Sequence, residues 1–459
     1  MASASRSSLQ HRVWRWHFFA GLMVIPFAVI LAVTGAIYLF KPQFDAAIEA
    51  RINRGAAPLA GESLPADALL AAALDAHPEG RLIRLILPST EDDPTLEVET
   101  IGPDGARTLW VDRSTGAVLH QTATPARFMN TVKAIHGTLL AGNRGSLVVE
   151  IMASWMIILI ATGIYLWWPR GRPWWRVLVP DFAAGGGRRE TWRRVHGMAG
   201  TWMGGVILAM LLFGLPWTQV WGEGYGRVKS LAGLKSPGQE WFVTLQSGGA
   251  PADQMSQGMD HAGHGMLWDQ GEEEPAPAAA MLTGGALPLE DILRLANPQQ
   301  YPPPVWAQPP RGENGVWTIR SMGPARPGRV TVHYDRWTGE EVMRITFADH
   351  NPVDQFVAQG VAFHEGQLFG LLNQIAGLLA AISVIFLSVS GLMMWWRRRP
   401  KGRLGVPPMP TDRRLAAGMG FLVIAFCIFL PMAGLTLLVA LAGEFVLKLA
   451  GRLGRKREA

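Results

Sequence analysis

Four histidines stand at the ends of long apolar stretches: His17, His136, His196 and His364. An imidazole in or beside a membrane span is costly to bury, so its presence there points to function by default. Neutral imidazole suits the axial positions of haem iron, and a haem needs a flat slot between helices. Glycines recur at fixed offsets from these histidines. His17-x-x-x-Gly21 repeats as His196-x-x-x-Gly200, and eighteen residues beyond each histidine stand Gly35 and Gly214. His136 is followed by Gly142, Gly163 and Trp167-Trp168, and His364 by Gly370, Gly391 and Trp395-Trp396, at offsets of 6, 27, 31 and 32 in both cases.

On a helix, a glycine four residues from a histidine lies on the same face and removes bulk beside it. Eighteen residues make five turns and about 27 Å of rise. Gly35 and Gly214 are therefore expected near the opposite membrane surface, beside His136 and His364. Gly163 and Gly391 are expected to do the reciprocal job for His17 and His196. The pattern implies two non-covalent, bis-histidine haems stacked along one four-helix bundle, His17/His196 at one face and His136/His364 at the other. Pairing within a half is the alternative. The bland alternative is packing, since glycine is a common spacer in membrane helices; four histidines duplicated in register weigh against it. His11 reads as a surface residue among arginines, and His77, His120, His333 and His350 as structural or solvated.

The elements that must position these residues are membrane spans. Only 17% of the 459 residues are charged and 49% are hydrophobic, against roughly 25% charged in a soluble protein. Trp14–Phe40, Leu147–Trp168, His196–Trp221 and Leu371–Trp396 are each apolar over the roughly 20 residues a bilayer core requires. A further apolar block, Leu415 to Leu449, is broken by Pro431 and reads as two short spans, giving six in all with five as the fallback. The first stretch is too long for a signal-peptide core and no small-residue cleavage pattern follows it. The single cysteine, Cys427, excludes a disulfide framework and a thiolate metal cage.

Charge follows the membrane, so the net +6 is no nucleic-acid signal. Arginines precede the first span, crowd the link between the second and third, follow the fourth, and fill the tail. The positive-inside rule places these four segments in the cytoplasm and loops 41–146 and 222–370 on the other side. A basic tail on the same side as the N-terminus favours an even number of spans.

The loops repeat as well. Pro65-Ala-Asp-Ala-Leu-Leu and Pro288-Leu-Glu-Asp-Ile-Leu each open an amphipathic helix. Strand-like runs follow, at Arg81–Leu87, Leu96–Ile101 and Thr108–Val111 in the first loop and at Val316–Arg320, Arg329–Tyr334 and Glu341–Ile345 in the second. Fifty-one residues after each proline comes a turn, Asp112-Arg-Ser-Thr-Gly116 or Asp335-Arg-Trp-Thr-Gly339. Both halves start on the same side, so the repeat is parallel. The second loop carries a Gly-, Pro- and Ala-rich insertion at 232–283, expected to be mobile. It holds Met255, Met259, His261, His264 and Met266. Thioether plus imidazole is a ligand set for Cu(I), with a low-complexity tract as the alternative. No dinucleotide or Walker motif is present, so electrons must come from a protein partner, a soluble reductant or membrane quinol.

The expected organisation is an N-terminal arm and first span (1–40), an α+β module (41–127), a histidine-bearing segment with the second span (128–168), a basic loop (169–191) and the third span (192–222). A second module (223–350), a histidine-bearing segment with the fourth span (351–396), a basic loop (397–413), a helical hairpin (414–449) and a basic tail (450–459) complete it.

His-x-x-x-Gly at the start of spans one and three, Thr-Gly-Ile-Tyr-Leu-Trp-Trp-Pro-Arg at 162–170 and Ser-Gly-Leu-Met-Met-Trp-Trp-Arg-Arg-Arg-Pro at 390–400 resemble the PepSY-associated transmembrane family of bacterial inner-membrane proteins. The Asp-Arg-x-Thr-Gly turns look like its PepSY modules, and Phe-Leu-Pro-Met-Ala-Gly-Leu-Thr-Leu-Leu at 429–438 is similar to the tail of longer members. The resemblance covers nearly the whole chain; the Met/His insertion is not a general feature of it. It implies a role in iron acquisition, since some members are haem-containing reductases that release iron from ferric siderophores in the periplasm. Their haem-ligand histidines map onto His17, His136, His196 and His364. The expected protein is thus a polytopic α-helical membrane protein with two PepSY-like periplasmic modules and two haem b groups. Electrons would pass from the cytoplasmic side to a periplasmic ferric or cupric chelate. The alternative is a non-catalytic PepSY protein that binds metal or a periplasmic peptide or protein partner.

Overall fold

In a computed structural model the chain divides into two compact units, one of residues 1–36, 134–224 and 375–459, the other of residues 37–133 and 225–374. The structure describes residues 2–59, 61, 63–171, 173–179, 187–234, 236–237, 245, 247, 286–312, 315–399, 417–440, 442–443 and 446. Among them the helices run in chain order as α1 (Ala2–Tyr38), α2 (Lys41–Asn53), α3 (Ala66–Ala76), α4 (Phe128–Thr138), α5 (Gly142–Trp167), α6 (Arg188–Gly214), α7 (Gln219–Leu231), α8 (Leu289–Ala296), α9 (Pro352–His364), α10 (Leu371–Arg398), α11 (Ala417–Phe429) and α12 (Pro431–Ala440).

Four helical segments, Leu9–Tyr38, Gly142–Trp167, Arg188–Trp217 and Leu371–Arg398, are long and apolar enough to cross a bilayer. Hydrocarbon offers no partner to backbone N–H and C=O, so such stretches close their hydrogen bonds as helices. The chain is a membrane protein. The glycines six residues after His136 and His364 now have a reason. Gly142 and Gly370 take φ of 55° and 57°, a left-handed turn that lets a new helix begin at once. At the other end, Trp168 is extended (ψ 126°) ahead of Pro169, which stops α5.

Contacts link these spans. Val24 and Ala28 of α1 pack with Met152 of α5 and Val384 of α10. Gly204 of α6 faces Ile160 of α5, and Gly200 of α6 faces Leu387 of α10. The Arg398 guanidinium lies 4.5 Å over the Trp14 ring, tying the last turn of α10 to α1. Glu150 of α5, wholly buried, accepts the Val220 and Trp221 N–H groups at 2.9 and 3.0 Å. An intramembrane carboxylate thus caps the positive end of α7, a structural use of its charge.

The terminal block folds back on itself. Leu430 N–H closes α11 on Phe426 C=O, and Leu430 C=O accepts the Gly434 N–H that opens α12. A Cβ on Gly434 would come 2.9 Å from the Cys427 Cβ, so the two arms touch at the turn. Leu430 packs on Leu215 and Ile157, and the Trp221 indole donates to Phe429 C=O. The chain therefore turns sharply at the Pro431 break, but the two further spans expected there are not among the four candidate spans of the described residues. The described arms of the turn are 13 residues (Ala417–Phe429) and the shorter Pro431–Ala440, below the length of the four spans.

The second unit holds one eight-stranded antiparallel sheet in the order β4-β3-β2-β1-β5-β6-β7-β8. The strands are β1 (Arg81–Leu87), β2 (Thr95–Gly102), β3 (Gly105–Asp112), β4 (Val118–Ala123), β5 (Val305–Gln308), β6 (Val316–Ser321), β7 (Val330–Asp335) and β8 (Glu341–Thr346). The two modules expected from the sequence are thus fused through the β1–β5 pair, Leu85 opposite Ala307. Among the described residues each module has four strands rather than three. The sequence reading passed over β4, an exposed edge strand, and β5, four residues hemmed in by Pro302-Pro303-Pro304 and Pro309-Pro310. Helices α3 and α8 cover one face, with Leu69, Leu70 and Ile292 packed on Leu85, Val98, Ile319 and Val332.

The repeat motifs in the loops are structural. Asp112 Oδ1 accepts the Ser114 and Thr115 N–H groups, and Asp335 Oδ1 accepts those of Trp337 and Thr338. Gly116 and Gly339 close these turns at φ of 74° and 71°. His77 lies between Thr100 and Asp104, and His333 bonds Thr318, in keeping with structural roles.

Candidate functional site

His17 lies towards the middle of α1 and His196 in the first half of α6, each one turn before the glycine on its own face, Gly21 or Gly200. Their ring centroids are 6.5 Å apart and the ring planes cross at 87°. A glycine of another helix stands against each ring. A Cβ on Gly163 of α5 would meet His17 Cε1 at 3.2 Å, and one on Gly391 of α10 would meet His196 Cε1 at 3.8 Å. Four helices therefore converge on this pair of imidazoles.

At the far end of α1, Gly35 faces His136 of α4, with a Cβ there reaching His136 Cε1 at 3.0 Å. His136 sits in a short helix separated from α5 by the left-handed Leu139, Leu140 and Gly142. His364 is the last residue of α9, a helix started by Asn351, whose side chain accepts the Val353 and Asp354 N–H groups, and by Pro352. His136 belongs to the first unit and His364 to the second. Gly214 is the last residue of α6. Met255, Met259, His261, His264 and Met266 lie outside the described residues.

The sequence reading missed the hydroxyl groups. His17 Nδ1 is 2.9 Å from Thr162 Oγ1, His196 Nδ1 is 2.7 Å from Ser390 Oγ, and His136 Nδ1 is 3.1 Å from Thr34 Oγ1. The signal was in the sequence: each facing glycine is preceded by Ser or Thr, as Thr34-Gly35, Thr162-Gly163 and Ser390-Gly391. Each hydroxyl also donates to a carbonyl of its own helix, Thr162 to Ile158 at 2.7 Å, Thr34 to Ile30 at 2.8 Å and Ser390 to Leu387 at 3.1 Å.

A hydroxyl has one hydrogen. With that hydrogen given to the helix carbonyl, the oxygen accepts from the imidazole. The ring hydrogen then sits on Nδ1 and the lone pair on Nε2. An imidazole held through Nδ1–H by a neighbouring acceptor is how proteins orient histidine ligands. His17 and His196, 6.5 Å apart centroid to centroid, are the residues that could hold a haem iron between them.

A family model described as the PepSY-associated TM region matches residues 14–398, most of the chain. No curated protein matches it.

Proposed function

This chain belongs to the PepSY-associated transmembrane family, and from that premise we propose that it is a di-haem b inner-membrane reductase. Its substrate is a periplasmic ferric chelate of the siderophore type. The observation that carries the reading is the His17–His196 pair, 6.5 Å apart with each Nδ1 engaged by a hydroxyl. His17 and His196 hold one haem, and Gly163 and Gly391 keep side-chain bulk off the rings. By the register of the sequence repeat, a second haem would fall to His136 and His364, with Gly35 beside His136. Bound haem supplies one-electron transfer between the two membrane faces.

The protein's own work is to hold the rings, fix their tautomer and exclude water from the ligands. On the substrate, gain of one electron turns Fe(III) into Fe(II), which hard oxygen donors hold less strongly, and the metal is released. No nucleophile or general acid takes part. The basic segments face the cytoplasm and loops 41–146 and 222–370 the periplasm, following the arginine distribution. The reductant is a quinol, a soluble donor or a protein.

Reduced-minus-oxidised spectra and haem content of single variants test the proposal. His17→Ala and His196→Ala should each lose about half the haem, with the same spectral component missing, because one of the two residues that would hold it is gone. His136→Ala and His364→Ala should lose the complementary component. Each variant should also stop ferric-chelate reduction. Full haem content and unchanged reduction in all four variants would sink the proposal, and haem-free wild type would favour a PepSY protein that binds metal or a peptide.

A further inference from the structure

Glycine spacing explains the room beside the histidines but not their orientation. Thr34, Thr162 and Ser390 occupy the same place in three separate helices, one residue before the facing glycine. Each contacts Nδ1 of its histidine within 3.1 Å and donates back to its own helix. Side chains on neighbouring turns of a membrane helix have many rotamers open to them, and chance packing does not place three hydroxyls on three Nδ1 atoms.

We infer that Thr162, Ser390 and Thr34 are positioning residues that keep the hydrogen of His17, His196 and His136 on Nδ1, so that Nε2 is presented to iron. The inference rests on the haem reading of the same histidines. The back-bond to the helix carbonyl fixes the hydroxyl rotamer, so the acceptor is rigid. It also polarises the oxygen, because a hydroxyl that donates accepts more strongly. An acceptor on Nδ1–H raises the basicity of Nε2. A more basic ligand favours the ferric over the ferrous state, so each hydroxyl holds the midpoint potential down. The fourth place departs from the pattern: Phe213 precedes Gly214. The pair His17/His196 is thus oriented by two hydroxyls, and the device is not repeated by residue 213.

Two measurements test this, one of which needs no haem. In haem-free protein labelled with 15N at histidine, the His17 signal, identified by its loss in His17→Ala, should report the hydrogen on Nδ1. Thr162→Ser should keep it there, and Thr162→Val, which has the shape without the acceptor, should move population to the other tautomer. In haem-loaded protein, Thr162→Val should raise the midpoint of the component that His17→Ala removes and weaken haem retention by about 10- to 100-fold, with Thr162→Ser restoring both. Ser390→Ala is the parallel variant at the partner ring, should Thr162→Val not fold.

An unchanged tautomer and midpoint in Thr162→Val and Ser390→Ala would overturn the inference while haem loss in His17→Ala left the haem reading standing. Haem retained in His17→Ala would overturn that reading instead, and the 15N spectrum would still decide where the hydrogen sits. A His17 hydrogen found on Nε2 in the wild type refutes the positioning role outright.

Discussion

Glu97 and His333 lie on the sheet face opposite α3 and α8, and burial moves each away from its ordinary charge state. Burial pushes the Glu97 carboxyl from 4.5 up to about 7 against the pull of the Arg127 guanidinium that bonds it. Burial pushes His333 from 6.5 down to about 4, helped by the charge of Arg320. The two act in opposite senses on folding. The Glu97 contribution is fully present below 4.5 and is lost as pH rises towards 7. The His333 contribution is present above 6.5 and is lost as pH falls towards 4. Over the shared window, about pH 4.5 to 6.5, the two slopes offset one another, each at most about 1.4 kcal/mol per pH unit. In thermal unfolding of the purified protein, Glu97→Gln should make the slope of stability against pH more positive than in the wild type there, and His333→Gln more negative. Changes of slope of the same sign in the two variants would contradict this assignment. At this scale the sequence was informative where chemistry repeats: four histidines and their glycines stood out by register. The hydroxyls escaped because Ser and Thr are ordinary in membrane helices, and only the fold shows that each touches Nδ1.

The helices α3 and α8 each begin just after a proline, Pro65 and Pro288, which occupies the N-cap and has no side-chain acceptor. The missing caps come from across the pseudo-symmetric pair. Asp67 of α3 accepts the Leu289 and Glu290 N–H groups of α8, and Glu290 of α8 accepts the Ala66 N–H of α3. The sequence placed these prolines inside the first turn; the structure puts them one residue earlier, which is why the neighbour must cap. Losing a cap costs about 1 kcal/mol, up to about 2 when more than one donor is orphaned. Asp67→Ala should therefore destabilise the sheet unit more than Glu290→Ala, read as midpoints of denaturant unfolding. Equal midpoints for both variants and wild type would remove the capping role. The spans were legible because a bilayer imposes one long apolar pattern on each. The strands β4 and β5 were not, since edge exposure and flanking prolines erase the alternation that marks a strand, and the β1–β5 pairing joins residues more than two hundred positions apart.

At the scale of the whole molecule, the proposed sidedness puts both basic-flanked termini on one side of the membrane. A reporter fused after Ala459 should be active only as a cytoplasmic marker, and one inserted near residue 300 only as a marker of the opposite side. An outward signal at the C-terminus would contradict two membrane crossings around Pro431. The β1–β5 seam gives a sharper test, because it asks whether the two repeats build one sheet or two. Leu85 and Ala307 are direct partners across the seam and both are fully buried. Directly opposed residues of antiparallel strands have Cα atoms about 4.5–5.5 Å apart, inside the range of about 4.4–6.8 Å that a disulfide spans. Leu85→Cys with Ala307→Cys should therefore join when the purified protein is oxidised, seen by mass spectrometry as a linked peptide pair. Ile319 lies on β6, one strand beyond β5, so Leu85→Cys with Ile319→Cys should stay reduced. The native Cys427 sits in the other unit and serves as an internal control. If the first pair also links during expression, that unit faces an oxidising compartment, which ties the seam to the membrane sidedness argued from charge. A first pair that never links, with the second pair linking instead, would mean the sheet order is wrong and the two modules fold apart.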